Sequence, residues 1–201
     1  MTTRWHERWA EKKTGWDLRG PHPLTAHLID LCKQIDPQVV RGRWLIPGCG
    51  RAHDAPLLLE LGASHVTGRD LVPLAIEEAQ SCYGHLKNLT FECGSIYDVK
   101  HPDETSFECV FDRAMMCALS GDERRLYLQS IYRLLQKGGL FASIPFAKTH
   151  EPEMGPPFQI TEGELRDSFK DGWQILHLEE RQDGSCDQKI LREWLFIAKK
   201  L

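Results

Sequence analysis

Two glycines and an aspartate are the first residues whose types and spacing could do chemistry. In LIPGCGRAHD, residues 45–54, an apolar run ends at Gly48 and Gly50, which have no side chain to keep a ligand off the backbone. Asp70 follows Gly50 by twenty residues, and a carboxylate there can accept two hydrogen bonds from a ribose diol. The spacing suits a nucleoside cofactor, although glycines and aspartates of this kind also serve as turn formers and helix caps.

The glycine pattern separates two such cofactors. The spacing alone fits NAD and S-adenosylmethionine equally, but the turn reads GCG and lacks the third glycine of GxGxxG, which lets a helix pack beneath a pyrophosphate. S-adenosylmethionine carries no pyrophosphate. The turn therefore favours a methyl donor, and a nicotinamide-dependent dehydrogenase is the alternative enzyme class.

Alternating strands and helices must hold these residues in place. Apolar runs predict strands at 43–47, 64–68, 89–93, 107–111 and, after Lys137-Gly138-Gly139, at 140–146. Helical periodicity predicts helices over 3–13, 24–35, 54–61, 72–82 and 122–136. This order predicts an α/β fold, a parallel sheet with helices on both faces. Ligands then bind at the carboxyl ends of the strands, where the glycine turn and Asp70 lie.

The last fifty residues change in character. EPEMGPPF, residues 151–158, is too rich in proline for regular structure. A helix is expected from Thr161, whose hydroxyl and Glu164 three residues later form a capping box. WQILHLEE and ILREWLFIAKK, separated by DGSCDQ, predict an antiparallel hairpin at the end of the chain.

Composition excludes several classes of protein. The 201 residues are 41% hydrophobic, which suits one compact domain, and the net charge of −4 lacks the basic excess that nucleic-acid binding needs. No apolar stretch is long enough to span a membrane. Seven cysteines without a CxxC pair indicate free thiols in a reducing compartment and no metal site. We therefore expect a cytoplasmic protein that binds a small molecule.

Five segments, taken together, resemble one known family. WHERWAEKKTGW, PGCGRAHD, CGSIYD, FDRAMMCAL and MGPPF are similar to the thiopurine S-methyltransferase superfamily, which also includes thiol, thiocyanate and halide methyltransferases. The resemblance implies a single Rossmann-like class I methyltransferase domain over 1–201, with a mostly parallel seven-stranded sheet and an antiparallel C-terminal hairpin strand. It also implies a monomer, a cofactor-covering segment at 1–20 and a lid loop over the acceptor site at 147–160.

The resemblance also implies a set of residues that bind S-adenosylmethionine and its product S-adenosylhomocysteine. Indole rings near a sulfonium can stabilise it by about 0.5–2 kcal/mol. For Trp5 and Trp9, an equal alternative is a hydrophobic clasp that holds the N-terminal segment to the domain. For Ile96, the alternative to contact with the cofactor is ordinary core packing. The implied cofactor residues are Trp5, Trp9, Trp16, Ile46, Gly48, Gly50, Asp70, Leu71, Ser95, Ile96 and Asp112.

The acceptor site is implied at the end of the fourth strand and in the proline-rich loop. Arg113 would hold an anionic nucleophile, and its alternative role is an ion pair with Asp112 or Glu108. Pro156 and Phe158 would cover the acceptor, with Phe158 alternatively anchoring its loop. The remaining candidates are Asp112 and His150 as proton acceptors for a neutral thiol. His53 and Asp54 are interpreted as a turn residue and the cap of the next helix.

Methyl transfer to a soft anion needs little proton chemistry, which fits a sequence with no evident Ser/His/Asp arrangement or carboxylate pair. GPPF, SIYD and Arg113 resemble the thiopurine branch, whereas PGCGRAHD resembles the thiol and halide branch. Thiols are the first expectation for the acceptor, followed by thiocyanate, halides and reduced selenium or tellurium species. The alternative from another class is a module that binds the cofactor without catalysis.

Overall fold

The computed structural model describes residues 2–98, 107–150, 155–182 and 190–201. This part of the chain contains seven α-helices and eight strands. The helices are α1 (Thr2–Ala10), α2 (Thr25–Ile35), α3 (Pro37–Val40), α4 (Ala55–Glu60), α5 (Pro73–Tyr83), α6 (Gly121–Leu134) and α7 (Glu162–Ser168). The strands are β1 (Arg43–Pro47), β2 (His65–Asp70), β3 (Leu89–Cys93), β4 (Phe107–Arg113), β5 (Leu135–Ile144), β6 (Phe146–Thr149), β7 (Trp173–Arg181) and β8 (Ile190–Lys200).

All of the described strands belong to one sheet. Strands β3, β2, β1, β4 and β5 lie side by side and parallel, and β8 pairs antiparallel with β5. Strand β7 pairs antiparallel with β8. Strand β6 continues the line of β5, since Phe146 lies opposite Glu193 in the register that β5 sets with β8. The α/β fold and the terminal hairpin pair are confirmed.

Pro145 divides the expected fifth strand in two, which makes eight strands where seven were expected. Proline has no N–H for the ladder, but its carbonyl still accepts a hydrogen bond of 2.8 Å from Trp194 N. The first residues of the expected lid loop at 147–160 therefore belong to β6 and not to a loop.

Side chains that alternate along the strands form one core on each face of the sheet. Trp44 and Ile46 of β1 belong to the cluster that includes α2 and α4, whereas Leu45 belongs to the cluster that includes α6 and α7. Both faces are therefore covered by helices, as the strand–helix order predicts. Among the described residues, no helix has the length and apolar character needed to cross a membrane.

The passage from α6 to β5 differs from the expectation. The expected break at Lys137-Gly138-Gly139 lies inside β5, which begins directly after α6 at the fully buried Leu135. Lys200 Nζ donates to the carbonyls of Tyr132 and Leu135 at 2.6 and 2.7 Å. These bonds satisfy helix-end carbonyls that would otherwise lack a partner, so no glycine is needed to end the helix.

Candidate active site

The turn between β1 and α4 is built around two glycines in a left-handed conformation. Gly48 has φ +59° and Gly50 has φ +54°, a region that glycine enters without the steric cost of a side chain. A β-carbon at position 48 would also lie 2.6 Å from Met115 Sδ. The backbone N–H of Cys49 donates to Arg69 O at 3.1 Å and ties the turn to β2. The sequence therefore places a side-chain-free surface at the end of β1.

Asp70 lies at the end of β2 and is tied to this turn. Its Oδ2 accepts from Gly50 N and its Oδ1 from Val72 N, both at 2.9 Å. Each carboxylate oxygen has a second lone pair that can accept from a ribose hydroxyl. Burial raises the pKa of Asp70, while the N–H groups of Val72, Gly50 and Leu71 oppose the rise. The expected adjacency of turn and carboxylate is present, and Asp70 itself is not among the described residues that line the cleft.

Helix α1 and the residues after it lie over the turn. Trp9 is 4% exposed and packs with Val72 and Ala75. The Trp16 ring meets the rings of Trp5 and Trp9 edge-on, and its centroid lies 5.4 Å from that of Trp5 and 6.3 Å from that of Trp9. Trp9 and Trp16 line the cleft above the glycine turn, whereas Trp5 is not among its described lining residues. Trp5 and Trp9 thus both take part in the packing of this segment, and contact of the tryptophans with the cofactor stays a prediction.

Arg51 is a site residue that the sequence analysis missed. It lines the cleft, its guanidinium pairs with Asp17, and its Nε donates to Glu78 at 2.5 Å. The guanidinium also lies 4.7 Å from the centre of the Trp9 ring. Arg51 thus joins the N-terminal segment to the glycine turn and to α5. Its partners are distant in sequence and follow no spacing rule, so only the arginine beside GCG could have drawn attention.

The structure corrects the interpretation of Asp54. This residue precedes α4 but makes no side-chain hydrogen bond to it, and α4 lies wholly within the described residues. Instead, Asp54 Oδ1 accepts from His22 N at 2.8 Å and from Thr25 Oγ1 at 2.6 Å. His53, interpreted as a turn residue, places Nδ1 2.8 Å from the Tyr83 hydroxyl. Asp54 therefore fastens the start of α2 beneath the cleft.

Ser95 and Ile96 follow β3, on the far side of Asp70 from β1. Ser95 Oγ accepts from Tyr97 N at 3.1 Å, and its carbonyl accepts from Arg69 Nε at 3.1 Å. Ile96 is 7% exposed and belongs to the core on the α6 side. Ile96 thus packs in the core, neither residue is among the described lining of the cleft, and their contact with the adenine stays a prediction.

Arg113, the last residue of β4, reaches into the cleft. Its Nη2 donates to Trp16 O at 2.8 Å, and its Nε is buried without a hydrogen-bond partner among the described residues. The alternative ion pairs do not form, because Glu108 accepts from Arg43 N at 2.5 Å and Asp112 has other partners. A buried, unpaired guanidinium N–H is suited to a charge-assisted bond with an anion.

Asp112 and His150 do not lie where the sequence analysis expected them. Asp112 is fully buried, and its carboxylate accepts from Tyr127 Oη at 2.6 Å and from Met115 N at 3.0 Å. Neighbouring residues of a strand point to opposite faces of the sheet, so Asp112 points to α6 when Arg113 points to the cleft. His150 is exposed at the end of β6 and is not among the described residues lining the cleft.

The proline-rich loop is described from Gly155 onward, and EPEM at 151–154 lies outside the described residues. Phe158 N donates to Cys117 O at 2.7 Å, and the Phe158 ring covers Gly155. Arg4 of α1 donates to Gly155 O at 3.2 Å. The loop is therefore attached through the backbone of Phe158 and through Gly155, and half-buried Pro156 lies between these two attachments. The roles of Pro156 and Phe158 at the acceptor stay a prediction.

These residues fit an adenosyl sulfonium. The glycine turn admits a ligand to the backbone, Asp70 offers lone pairs to a diol, and the Trp9 and Trp16 rings line the space above the strand ends. Arg113 adds a positive group at the β4 side of the same cleft. The arrangement can hold a nucleoside cofactor beside a small anion.

Comparison with known proteins agrees with this geometry. The family model for thiopurine S-methyltransferase matches residues 1–192. The Arabidopsis thaliana protein named Probable thiol methyltransferase 2 is 30% identical over 162 residues, which cover 80% of this chain and 68% of the relative. Thiocyanate methyltransferase 1 of Brassica oleracea is 28% identical over 189 residues, which cover 92% and 80%.

A solved structure supports the same fold. The 1,6-didemethyltoxoflavin-N1-methyltransferase of Burkholderia thailandensis, solved with 1,6-didemethyltoxoflavin and S-adenosylhomocysteine, aligns with a TM-score of 0.73. The sequence identity is 18%, and the alignment covers 99% of this chain and 86% of that one. At this identity the likeness is evidence for the fold, and it confirms a Rossmann-like methyltransferase architecture.

Proposed function

The chain belongs to the thiopurine S-methyltransferase family and is an S-adenosylmethionine-dependent methyltransferase, and on this premise we propose that it methylates thiols that bind as thiolates. The observation that carries the proposal is the guanidinium of Arg113, which lines the cleft with a buried and unpaired Nε. An anionic sulfur can accept a charge-assisted hydrogen bond from this group. Thiocyanate and halides, and reduced selenium or tellurium species, are the next acceptors in this proposal.

The chain contributes binding and positioning to the reaction. The bound cofactor supplies a methyl group on a sulfonium; the acceptor sulfur forms the new bond to carbon, and the electron pair of the old bond stays on the cofactor sulfur. Asp70 and the glycine turn fix the nucleoside, and Arg113 fixes the acceptor. The indoles of Trp9 and Trp16 limit access of water to the cleft. Such a displacement gains mainly from alignment and desolvation.

A general base is not required when the acceptor enters as an anion. Asp112 already accepts hydrogen bonds from backbone and phenol donors, which favours an acceptor that is ionised before it binds. Proton transfer to His150 stays a prediction for acceptors that bind as neutral thiols. A pH–rate profile of His150→Ala that matches the wild type would remove His150 from the mechanism.

The test is an acceptor panel with S-adenosylmethionine and detection of S-adenosylhomocysteine. The panel contains thiopurines, small thiols, hydrosulfide, thiocyanate and iodide, and we expect turnover with aromatic or heterocyclic thiols first. Arg113→Ala should raise the KM of an anionic acceptor by about tenfold or more, while the exposed Arg125→Ala serves as a matched control. Binding of S-adenosylhomocysteine without any turnover would instead support a catalytically inactive binding module.

A monomer in the cytoplasm completes the proposal. Six cysteines within the described residues are free, as expected in a reducing compartment. The net charge of −4 gives no support for a nucleic-acid partner. Light scattering of the purified chain at several concentrations measures the oligomeric state, and a constant dimer mass would contradict the monomer.

A further inference from the structure

The segment that directly follows Arg113 and β4 is held in an unusual conformation. Ala114 has φ +66°, a left-handed backbone that costs a non-glycine residue about 1–3 kcal/mol and persists only when its surroundings enforce it. The next residue, Met115, packs over Gly48 of the glycine turn. The position of this segment therefore determines where Arg113 meets the cleft.

Asp112 holds this segment from the α6 side of the sheet. Its Oδ1 accepts from Met115 N at 3.0 Å and from Met116 N at 3.4 Å, and its Oδ2 accepts from Tyr127 Oη at 2.6 Å. Tyr127 is itself fully buried on α6. The phenol thus fixes the carboxylate, and the carboxylate fixes the two N–H groups that come just after Arg113.

A second residue of α6 holds the far end of the same segment. Arg124 Nε donates to Met116 O, and Arg124 Nη2 donates to Leu119 O, both at 3.2 Å. Between these two carbonyls, Cys117 O accepts from Phe158 N at 2.7 Å. The proline-rich loop is therefore attached to the segment that α6 positions.

We infer that Tyr127 and Asp112 are positioning residues for methyl transfer, which set the place of Arg113 and of the proline-rich loop without touching the acceptor. The inference rests on the proposed role of Arg113 as the group that holds an anionic acceptor. It replaces the direct role in proton transfer or cofactor binding that the sequence analysis gave to Asp112.

The ionisation of Asp112 makes the positioning of Arg113 depend on pH. Three donors point at the two carboxyl oxygens, and protonation would remove one acceptor oxygen from them. Burial raises the pKa of Asp112 to about 6, while the bond from Tyr127 and the charge of Arg124 act in the opposite direction. Within the described residues, the Cys117 thiol and the Tyr127 phenol also interact with this carboxyl. Acceptor binding should therefore weaken as the pH falls through about 6.

The experiment compares Tyr127→Phe with Tyr132→Phe, a matched control on the same helix. The acceptor is thiocyanate, which stays anionic from about pH 4.5 to 8, so its own titration does not affect the pH dependence of kcat/KM. For Tyr127→Phe we expect kcat/KM for this acceptor to fall by about tenfold, while the Kd of S-adenosylhomocysteine is unchanged. The acid limb of kcat/KM should move to higher pH, because the lost phenol bond had lowered the pKa of Asp112. Tyr132→Phe should match the wild type in all three measurements.

A merely structural role gives a different result. If Tyr127→Phe lowers the urea midpoint but leaves kcat/KM and the acid limb unchanged, the inference is overturned. Should Tyr127→Phe not fold, Asp112→Asn provides the same test, since its kcat/KM should be low and no longer fall near pH 6. If the wild type methylates no sulfur acceptor, the proposed function fails. Crystal structures of the wild type and Tyr127→Phe still test whether Tyr127 positions Arg113. A displaced Arg113 guanidinium in Tyr127→Phe would support it, and an unmoved one would refute it.

Discussion

Replacing Asp70 by alanine should remove most of the affinity for the cofactor product. Both oxygens of this carboxylate are held at 2.9 Å by the N–H groups of Gly50 and Val72, so their free lone pairs have a fixed direction. A hydrogen bond to a charged group contributes about 1.5–3 kcal/mol. Loss of both ribose bonds therefore removes at least about 3 kcal/mol, which corresponds to more than a hundredfold in Kd.

Isothermal titration calorimetry of S-adenosylhomocysteine measures this loss directly. Asp30→Ala is the matched control, because Asp30 is an exposed carboxylate on α2 whose partner is Lys33. The urea midpoint of Asp70→Ala must be recorded as well, since the N–H groups of Gly50 and Val72 lose their partner. A folded Asp70→Ala variant whose Kd stays within about threefold of the wild type would refute the role of Asp70 as the diol acceptor.

Three further perturbations test other parts of the site. Gly48→Ala should lower the free energy of unfolding by about 1–3 kcal/mol, because position 48 has a positive φ and a new β-carbon would meet Met115. In a Met115→Ala background urea unfolding should show a smaller loss. Equal losses in the two backgrounds would contradict the clash with Met115. Arg51→Met should speed tryptic cleavage of the N-terminal segment by about tenfold, since it removes the pairing with Asp17, and an unchanged cleavage rate would show that other contacts hold the segment. In the wild type the raised pKa of Asp112, from 3.8 to about 6, lowers the free energy of unfolding as the pH rises through that interval. The stability of Asp112→Asn relative to the wild type should therefore rise by about 2 kcal/mol between pH 4 and 7. A difference in urea unfolding that stays constant over this range would contradict this.

Strand alternation shows both what the sequence predicts and what was overlooked. The carboxyl ends of parallel strands meet at one edge, so Gly50 and Asp70 could be placed together from spacing and periodicity. The same period of two also separates Asp112 from Arg113. Val110, which shares a face with Asp112, packs with the α6-side core, whereas Phe111 packs on the other side. Applied to FDR, this rule would have directed Asp112 away from the acceptor.

Other features depend on contacts between distant segments. Arg51 meets Asp17 and Glu78 only after folding has brought the residues after α1 and helix α5 to the glycine turn, and no local pattern encodes this. Lys200 replaces the expected glycine break at the end of α6 by reaching carbonyls more than sixty residues away. Asp54 looked like a helix cap because caps are local, but its partners are His22 and Thr25. Sequence patterns describe neighbours along the chain better than neighbours across it.

The first sixteen residues have attachments on both sides of the cleft. Trp9 packs against Val72 beside the glycine turn, and Arg4 donates a hydrogen bond to the carbonyl of Gly155. The carbonyl of Trp16 accepts a hydrogen bond from Arg113. Because one short segment is tied to α5, to the proline-rich loop and to the end of β4, loss of its contacts on one side of the cleft would also loosen its contacts on the other side.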